Sequence, residues 1–245
     1  MTTKVFLAGA TGVVGRCLVP LLRDAGHIVI GTSRTAEGKA KLEALGIGAV
    51  VIDVFDADAF NEAVWTASPD VLIHQLTDLS EENHSEPPEE KSRRNARIRQ
   101  TGTANLVAAA TAAGVRRIIA QSIGWAYAPK SLPLTETDPL DLEATGPRAI
   151  TLSGIVALED AILNQTAFEG LILRYGQLYG PGTGSTAPTG TAPLHVEAAA
   201  CAAFLAVDHG RPGAYNIADP GGALVIDKAL SELGWQPEFR LGRQM

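Results

Sequence analysis

Five residues, Lys4-Val5-Phe6-Leu7-Ala8, run directly into Gly9-Ala10-Thr11-Gly12-Val13-Val14-Gly15, and this junction constrains the fold more than any other segment. It reads as a buried strand, a glycine turn and the first turn of a helix. Gly9 permits a tight turn off the strand. Gly12 has no Cβ, so the backbone can approach a pyrophosphate, and Gly15 lets the helix pack closely on a sheet. The N-terminus of that helix presents unpaired N–H groups and the positive end of its dipole to phosphate. Gly9, Thr11, Gly12, Val13, Val14 and Gly15 are therefore the expected cradle of a dinucleotide.

The same alternation continues along the chain. Apolar runs at residues 5–8, 28–32, 49–53, 71–75, 117–121 and 171–174 are predicted strands, and residues 13–25, 36–45, 58–65, 92–113 and 153–166 are predicted helices. Strands that are apolar on both faces and separated by helices build a parallel sheet covered on both sides, with right-handed crossovers. The expected fold is α/β, a Rossmann-type doubly wound parallel sheet with a small C-terminal substrate lobe. Residues 1–175 would form the dinucleotide-binding core. Residues 176–245 would form the lobe and the remaining Rossmann elements, within one compact domain. Two stretches break the rhythm. Residues 80–91 are acidic, contain Pro87-Pro88 and read as a surface loop. Residues 176–193 are rich in Gly, Pro, Thr and Ser and read as a long irregular segment of functional type. A helix over 195–208, a strand near 214–217 and a helix over 227–233 complete the pattern.

With 46 % hydrophobic and 19 % charged residues, the 245-residue chain has ample material for a core, and its net charge of −7 speaks against nucleic acid or an anionic membrane as a partner. Cys17 and Cys201 lie in apolar helical patterns with no zinc-ligand spacing, as expected of buried thiols in a reducing compartment. The chain enters its first strand after three residues, without the pattern of a signal peptide, and the small-apolar run 198–207 is too short to span a bilayer. A soluble cytoplasmic protein is expected.

The second strand decides which nucleotide fits. An acidic residue at its tip would accept hydrogen bonds from a ribose 2′-hydroxyl, but here the tip reads Ser33-Arg34. A guanidinium fork with a hydroxyl beside it suits a 2′-phosphate, so NADP is expected over NAD. Asp53, followed by Val54, closes the third strand, where a carboxylate can accept from the adenine amino group or cap the turn that follows. Gln75, Leu76 and Thr77 follow the fourth strand, close to where the nicotinamide ribose should lie.

Several motifs in order resemble the extended short-chain dehydrogenase/reductase superfamily, in its NAD-dependent epimerase/dehydratase branch. They are Gly9–Gly15, Val71-Leu72-Ile73-His74, Gly102-Thr103-Ala104-Asn105-Leu106, Pro133-Leu134-Thr135-Glu136, Leu173-Arg174 with Tyr179-Gly180-Pro181-Gly182, His195-Val196-Glu197, Tyr215-Asn216-Ile217 and Leu233-Gly234-Trp235. The resemblance implies a tyrosine–lysine pair in the spacing Tyr-x-x-x-Lys, with a glutamate four residues beyond the lysine and a Ser or Thr that orients the substrate. Counting back from Glu159 puts Ile155 at the lysine position and Thr151 at the tyrosine position. Alignment on Tyr127 puts Ile123 at the Ser/Thr position, with Ser122 one residue earlier.

Tyr127 and Ser122, on the chain leaving the fifth strand, are the remaining candidates for proton transfer and substrate orientation, set against the plainer reading that each packs and bonds locally. Trp125 could wall a substrate. His74 and His195 read as structural, Tyr179 as structural, and Tyr175 as a residue that could face the pocket. Arg93, Arg94, Arg97 and Arg99 form a basic run of the kind a solvated helix face carries. No metal cluster is expected. The leading expectation is an atypical NADP-dependent oxidoreductase that moves hydride between nicotinamide and a small-molecule substrate (carbonyl, imine or enone). An NADP-binding redox-sensing or regulatory protein and a non-redox isomerase, lyase or cyclase are the alternatives. The helical segments 92–113 and 153–166 resemble those that pair in family dimers, which implies a homodimer.

Overall fold

The computed structural model describes residues 2–78 and 87–242. β1 (Lys4–Ala8) lies inside a sheet, so its alternating side chains enter different cores. Val5 and Leu7 join one cluster, and Phe6 and Ala8 join the other. Seven parallel strands make this sheet in the order β3-β2-β1-β4-β5-β6-β9. They are β1, β2 (Ile28–Ser33), β3 (Gly48–Val51), β4 (Val71–His74), β5 (Arg117–Ile123), β6 (Glu169–Tyr175) and β9 (Gly213–Ile217). The order reverses direction between β1 and β4, which opens a crevice at the C-terminal edge of the sheet.

Helices α1 (Val13–Asp24), α2 (Ala36–Ala44) and α7 (Val196–Leu205) cover the face built on Val5 and Leu7. Helices α3 (Ala57–Ala67), α5 (Thr103–Ala112) and α6 (Gly146–Leu163) cover the face built on Phe6 and Ala8, where Phe6 meets Phe60 edge to face at 5.8 Å. Burial on both sides explains why the strands read as apolar runs rather than as alternating ones.

Four boundaries differ from the sequence reading. The predicted helix over 92–113 begins at Pro88, with α4 (Pro88–Arg97) carrying proline at its first position, where the missing N–H costs nothing. Of the predicted 80–91 loop, residues 88–91 are thus helical, while residues 80–86 lie outside the described residues. Five residues, Ile98–Gly102, then form a π-helical segment before α5, a wide turn of a kind frequent at functional sites. Helix α6 starts at Gly146, with Pro147 in its first turn, rather than at residue 153. Finally, the Gly- and Pro-rich stretch holds two short parallel strands, β7 (Gln177–Tyr179) and β8 (Pro193–His195), in the register Gln177↔Pro193, Leu178↔Leu194, Tyr179↔His195. β9 belongs to the main sheet and α7 packs on α1, so the chain after residue 175 is woven into the core.

Candidate functional site

The glycine turn is built as a backbone cradle. Gly9 has φ of +93°, and a Cβ there would lie 2.7 Å from the Gln75 carbonyl oxygen. A Cβ on Gly15 would lie 2.3 Å from the Gly9 carbonyl oxygen. Thr32 Oγ1 accepts a hydrogen bond from the Gly9 N–H at 3.2 Å, a tie that sequence reading missed because a strand threonine carries no signal of its own. Gly12 is the N-cap of α1 and brings no capping side chain, and the first turn of α1 has no acidic residue. Its N–H groups are thus left for a ligand, with Thr11 and Gly12 exposed. Opposite this turn, the loop after β7 comes close, and a Cβ on Gly182 would lie 2.9 Å from an Arg16 guanidinium nitrogen. Bare helix N–H groups and positions closed to any side chain fit a dinucleotide pyrophosphate.

Ser33 Oγ bonds the Thr35 backbone, and Thr35 caps α2 by accepting from the Gly38 N–H. Arg34 has a side chain 72 % exposed, 3.8 Å from the Asp78 carboxylate. Such a solvated pair is weak, so it costs little for the guanidinium to turn toward an incoming phosphate. Asp53 accepts from the Phe55 N–H at 3.0 Å, a turn contact that leaves its second oxygen uncommitted. Asn105 of α5 donates to the Val54 carbonyl at 2.8 Å and fixes the chain there. At the end of β4, Gln75 Nε2 donates to the Tyr175 hydroxyl at 3.3 Å, while Gln75 Oε1 is buried without a partner among the described residues. Tyr175 itself is buried and donates to the Ala199 carbonyl at 3.1 Å. Leu76 and Thr77 are half-buried at the same edge.

His74 closes β4 under this edge. Its Nδ1 accepts from the Leu76 N–H at 3.2 Å, so the proton sits on Nε2, which donates to Thr103 Oγ1 at 3.0 Å. Burial, helped by the nearby positive charge of Arg99, pushes its pKa down to about 4. An unfolded chain takes up this proton near pH 6.5, before the native state does. Stability present above pH 6.5 is therefore lost as the pH falls toward 4, by about 3 kcal/mol in all. Urea unfolding at stepped pH should show this fall, and His74→Gln should flatten it. A wild-type curve as flat as the variant's would contradict neutral burial of His74.

The positions counted back from Glu159 hold neither a tyrosine nor a lysine. Ile155 is fully buried in an apolar cluster with Ile123, Ala126 and Leu152, and α6 contains neither tyrosine nor lysine. Thr151 donates back to the Pro147 carbonyl at 3.1 Å and lies 3.2 Å from Ser92 Oγ. Ser122 and Tyr127 are brought together, but in the interior. Ser122 Oγ donates to Glu159 at 2.6 Å. Arg174 forms a buried ion pair with Glu159 at 2.6 Å and donates to the Tyr127 hydroxyl at 2.9 Å. The Tyr127 hydroxyl in turn donates to Asn216 Oδ1. Burial raises the Tyr127 pKa even though Arg174 pulls the other way. Both hydroxyls are thus engaged behind the sheet edge, and Tyr127 is 4 % exposed. Neighbouring Trp125 is 39 % exposed and fit to wall a cleft.

On the far side of the molecule, an apolar groove between β3 and α3 is lined by Ile30, Val50, Ile52, Ala63 and Ala67. It has no part in the edge that carries Gly9. Tyr179 donates to Asp219 at 2.8 Å, and its ring meets that of His195 edge to face at 5.1 Å. His195 caps α7, its Nδ1 accepting from the Glu197 N–H at 3.3 Å. The basic run does not form one solvated face. Arg94 pairs with Asp78 at 2.8 Å, Arg97 lies over the Phe55 ring at 4.0 Å, and Arg99 is buried. Among the described residues no cluster of His, Cys, Asp and Glu is fit to hold a metal, and no helix is long and apolar enough to cross a membrane.

A parallel sheet with a glycine cradle at its switch point defines a nucleotide-binding α/β protein. The sequence model of the NAD dependent epimerase/dehydratase family matches residues 5–212, and the chain belongs to this family. It is 37 % identical to a 3-diazoavenalumate denitrifying reductase of a Streptomyces species, over 96 % of this chain and 80 % of that protein. Among solved structures it is similar to yeast methylglyoxal/isovaleraldehyde reductase complexed with NADPH, with a TM-score of 0.78 at 16 % identity, covering 95 % of this chain and 93 % of that one. It is also similar to UDP-glucose 4-epimerase of Thermotoga maritima with UDP-glucose, with a TM-score of 0.76 at 18 % identity, covering 97 % and 94 %. At such identities the structural likeness is one of fold. The family and the reductase relative together support an oxidoreductase with a nicotinamide cofactor.

Proposed function

We propose that this protein is an NADP-dependent reductase that delivers hydride to an electrophile needing no proton from the protein. The observation that carries this reading is the pair Ile123 and Ile155, buried together in one aliphatic cluster at the positions that counting from Tyr127 and Glu159 assigns to the family's Ser/Thr and lysine, with Thr151 at the tyrosine position. A carbonyl becomes an alkoxide on reduction and requires an acid beside it. A cationic electrophile such as a diazonium or iminium group accepts hydride and becomes neutral without one. The relative's name ascribes to it a diazo compound and denitrification. For such a group the balance is simple. Hydride adds to the terminal nitrogen, and the resulting diazene loses dinitrogen to leave a carbon–hydrogen bond.

Gly9, Thr11, Gly12, Val13, Val14 and Gly15 hold the pyrophosphate in this account. Asp53 and Val54 bound the adenine, and Gln75, Leu76 and Thr77 the nicotinamide ribose. The bound cofactor supplies the hydride. The chain's own part is to fix the substrate and exclude water. Ser122 and Tyr127 hold the Glu159–Arg174 pair in place and move no proton.

Arg34 and Ser33 select the 2′-phosphate. Arg34→Ala is expected to weaken NADPH binding by about tenfold or more while leaving NADH binding unchanged, since a charge-assisted hydrogen bond contributes about 1.5–3 kcal/mol. Fluorescence titration with both nucleotides checks this, and equal losses for the two would remove Arg34 from the discrimination. The reductase reading is tested by following NADPH oxidation with an arenediazonium salt, an iminium salt and an aldehyde. Turnover of the cationic compounds above the uncatalysed rate supports it, and turnover of the aldehyde alone overturns it. We also propose a homodimer formed through α4, α5 and α6, for which light scattering at micromolar concentration should give twice the chain mass.

A further inference from the structure

Arg99 lies in the π-helical segment and is 7 % exposed. Among the described residues it makes no hydrogen bond and no ion pair, and burial alone lowers its pKa to about 10. Every other buried arginine has partners. Arg174 has Glu159 and Tyr127, and Arg117 has Glu169 and the carbonyls of Ala206, His209 and Gly210. An unpaired buried cation is costly and persists only where something compensates it.

Its surroundings say what that is. The segment packs on α6, where Gln100 Nε2 donates to Ser153 Oγ at 3.4 Å, and the end of α4 just before it is pressed on the same helix, a Cβ on Gly154 lying 2.7 Å from Ala96 Cα. Helical side chains lean toward the helix N-terminus, so Arg99 extends back toward the level of Ala96, where α4 meets Gly154 of α6. Its charge also reaches His74 at the C-terminal end of β4. The guanidinium therefore lies toward the C-terminal edge of the sheet, where open α/β folds bind their ligands. His74 is neutral, and the nearest described carboxylate of α6, Glu159, is taken by Arg174 and Ser122. The glycine cradle, which takes the cofactor phosphates, opens on α1 on the other face of the sheet.

We infer that Arg99 is the anion subsite of the substrate pocket, a fixed guanidinium that receives a carboxylate or phenolate carried by the molecule to be reduced. This deepens the reductase reading by naming a substrate class, a small acid whose anionic end is anchored while its electrophile faces the nicotinamide. The planar fork suits a carboxylate bidentately.

The test reads binding and needs no turnover. Thermal unfolding of the full chain is followed against benzoate and, as a neutral isostere, benzamide. The expected result is a saturable rise in the unfolding midpoint with benzoate, none with benzamide, and benzoate binding at least about tenfold weaker in Arg99→Met. Arg99→Met should unfold at or above the wild-type midpoint without ligand, because it removes an unpaired buried charge. The exposed Arg93→Gln, which changes net charge equally, should keep the benzoate response. Equal responses to benzoate and benzamide, no wild-type response, or an undiminished response in Arg99→Met would overturn the assignment. So would a tenfold loss of NADPH affinity in Arg99→Met with benzoate inert, since the cation would then serve the cofactor. Failure of the reductase reading would appear instead as absent NADPH oxidation, whatever benzoate does.

Discussion

Gly15→Ala is expected to weaken nicotinamide-cofactor binding by about 100-fold and to destabilise the fold by about 1–3 kcal/mol. The physical reason is local. A methyl group there would lie 2.3 Å from the Gly9 carbonyl oxygen and 2.7 Å from the Ala10 carbonyl carbon, both backbone atoms that no rotamer change can move. Helix α1 must then lift from the turn, which moves the bare N–H groups at its start away from the pyrophosphate. Gly26→Ala makes a useful comparison. That glycine also has positive φ, but it has open space around it, so only backbone strain is added and the cradle is untouched. Isothermal titration with NADPH and thermal unfolding of both variants separate the two effects. Unchanged affinity in Gly15→Ala would mean that the turn is not the cofactor cradle.

The second large effect lies behind the site. Glu159→Ala should cost about 3–5 kcal/mol of stability, because it leaves Arg174 charged and unpaired in the interior and strips Ser122 of its acceptor. Arg174 also holds the Glu136 carbonyl at 3.2 Å and the Tyr127 hydroxyl, and Glu136 accepts from the Asn216 N–H at 2.9 Å. The pair thus ties β5, α6, β6 and β9 together. Replacing both partners, as Glu159→Met with Arg174→Met, should be less damaging than either single change, since no bare charge remains. Denaturant unfolding of the three variants checks the order. A Glu159→Ala protein within about 0.5 kcal/mol of wild type would show that the pair contributes nothing net.

The parallel sheet was legible in the sequence because strands buried on both faces read as unbroken apolar runs, and β1 with its glycine turn was legible because each glycine answers a distinct steric demand. Helix boundaries were less so. Thr145-Gly146-Pro147 looks like a turn, yet proline in a first helical turn is favourable, and α6 starts there. The π-helical segment leaves no trace in periodicity, since one widened turn shifts the pattern by a single residue. Arg99, two residues from Arg97 in a charged run, is buried while Arg97 stays outside over Phe55, because helical positions two apart point to opposite faces. Glu159 and Arg174 lie on different elements, and no spacing rule links them. The strands β7 and β8 were hidden by composition, because three-residue strands among Gly, Pro, Ser and Thr carry too few β-forming residues to register.

At the site, counting from Glu159 found Thr151 and Ile155, but only the fold shows that Ile155 packs on Ile123. That contact brings two positions that the sequence offers separately into one buried apolar cluster. Ser122 and Tyr127 were singled out as hydroxyls near the fifth strand, and their chemistry depends on partners drawn from three other elements, Glu159, Arg174 and Asn216.

The most direct test of hydride delivery without a protein acid is the rate of NADPH oxidation with an arenediazonium substrate bearing a carboxylate, measured for wild type and Tyr127→Phe. The account predicts turnover well above the uncatalysed rate, with the variant within about threefold of wild type, since an acid–base group contributes about 100-fold or more where one is used. Turnover confined to carbonyl compounds and lost on Tyr127→Phe would contradict it.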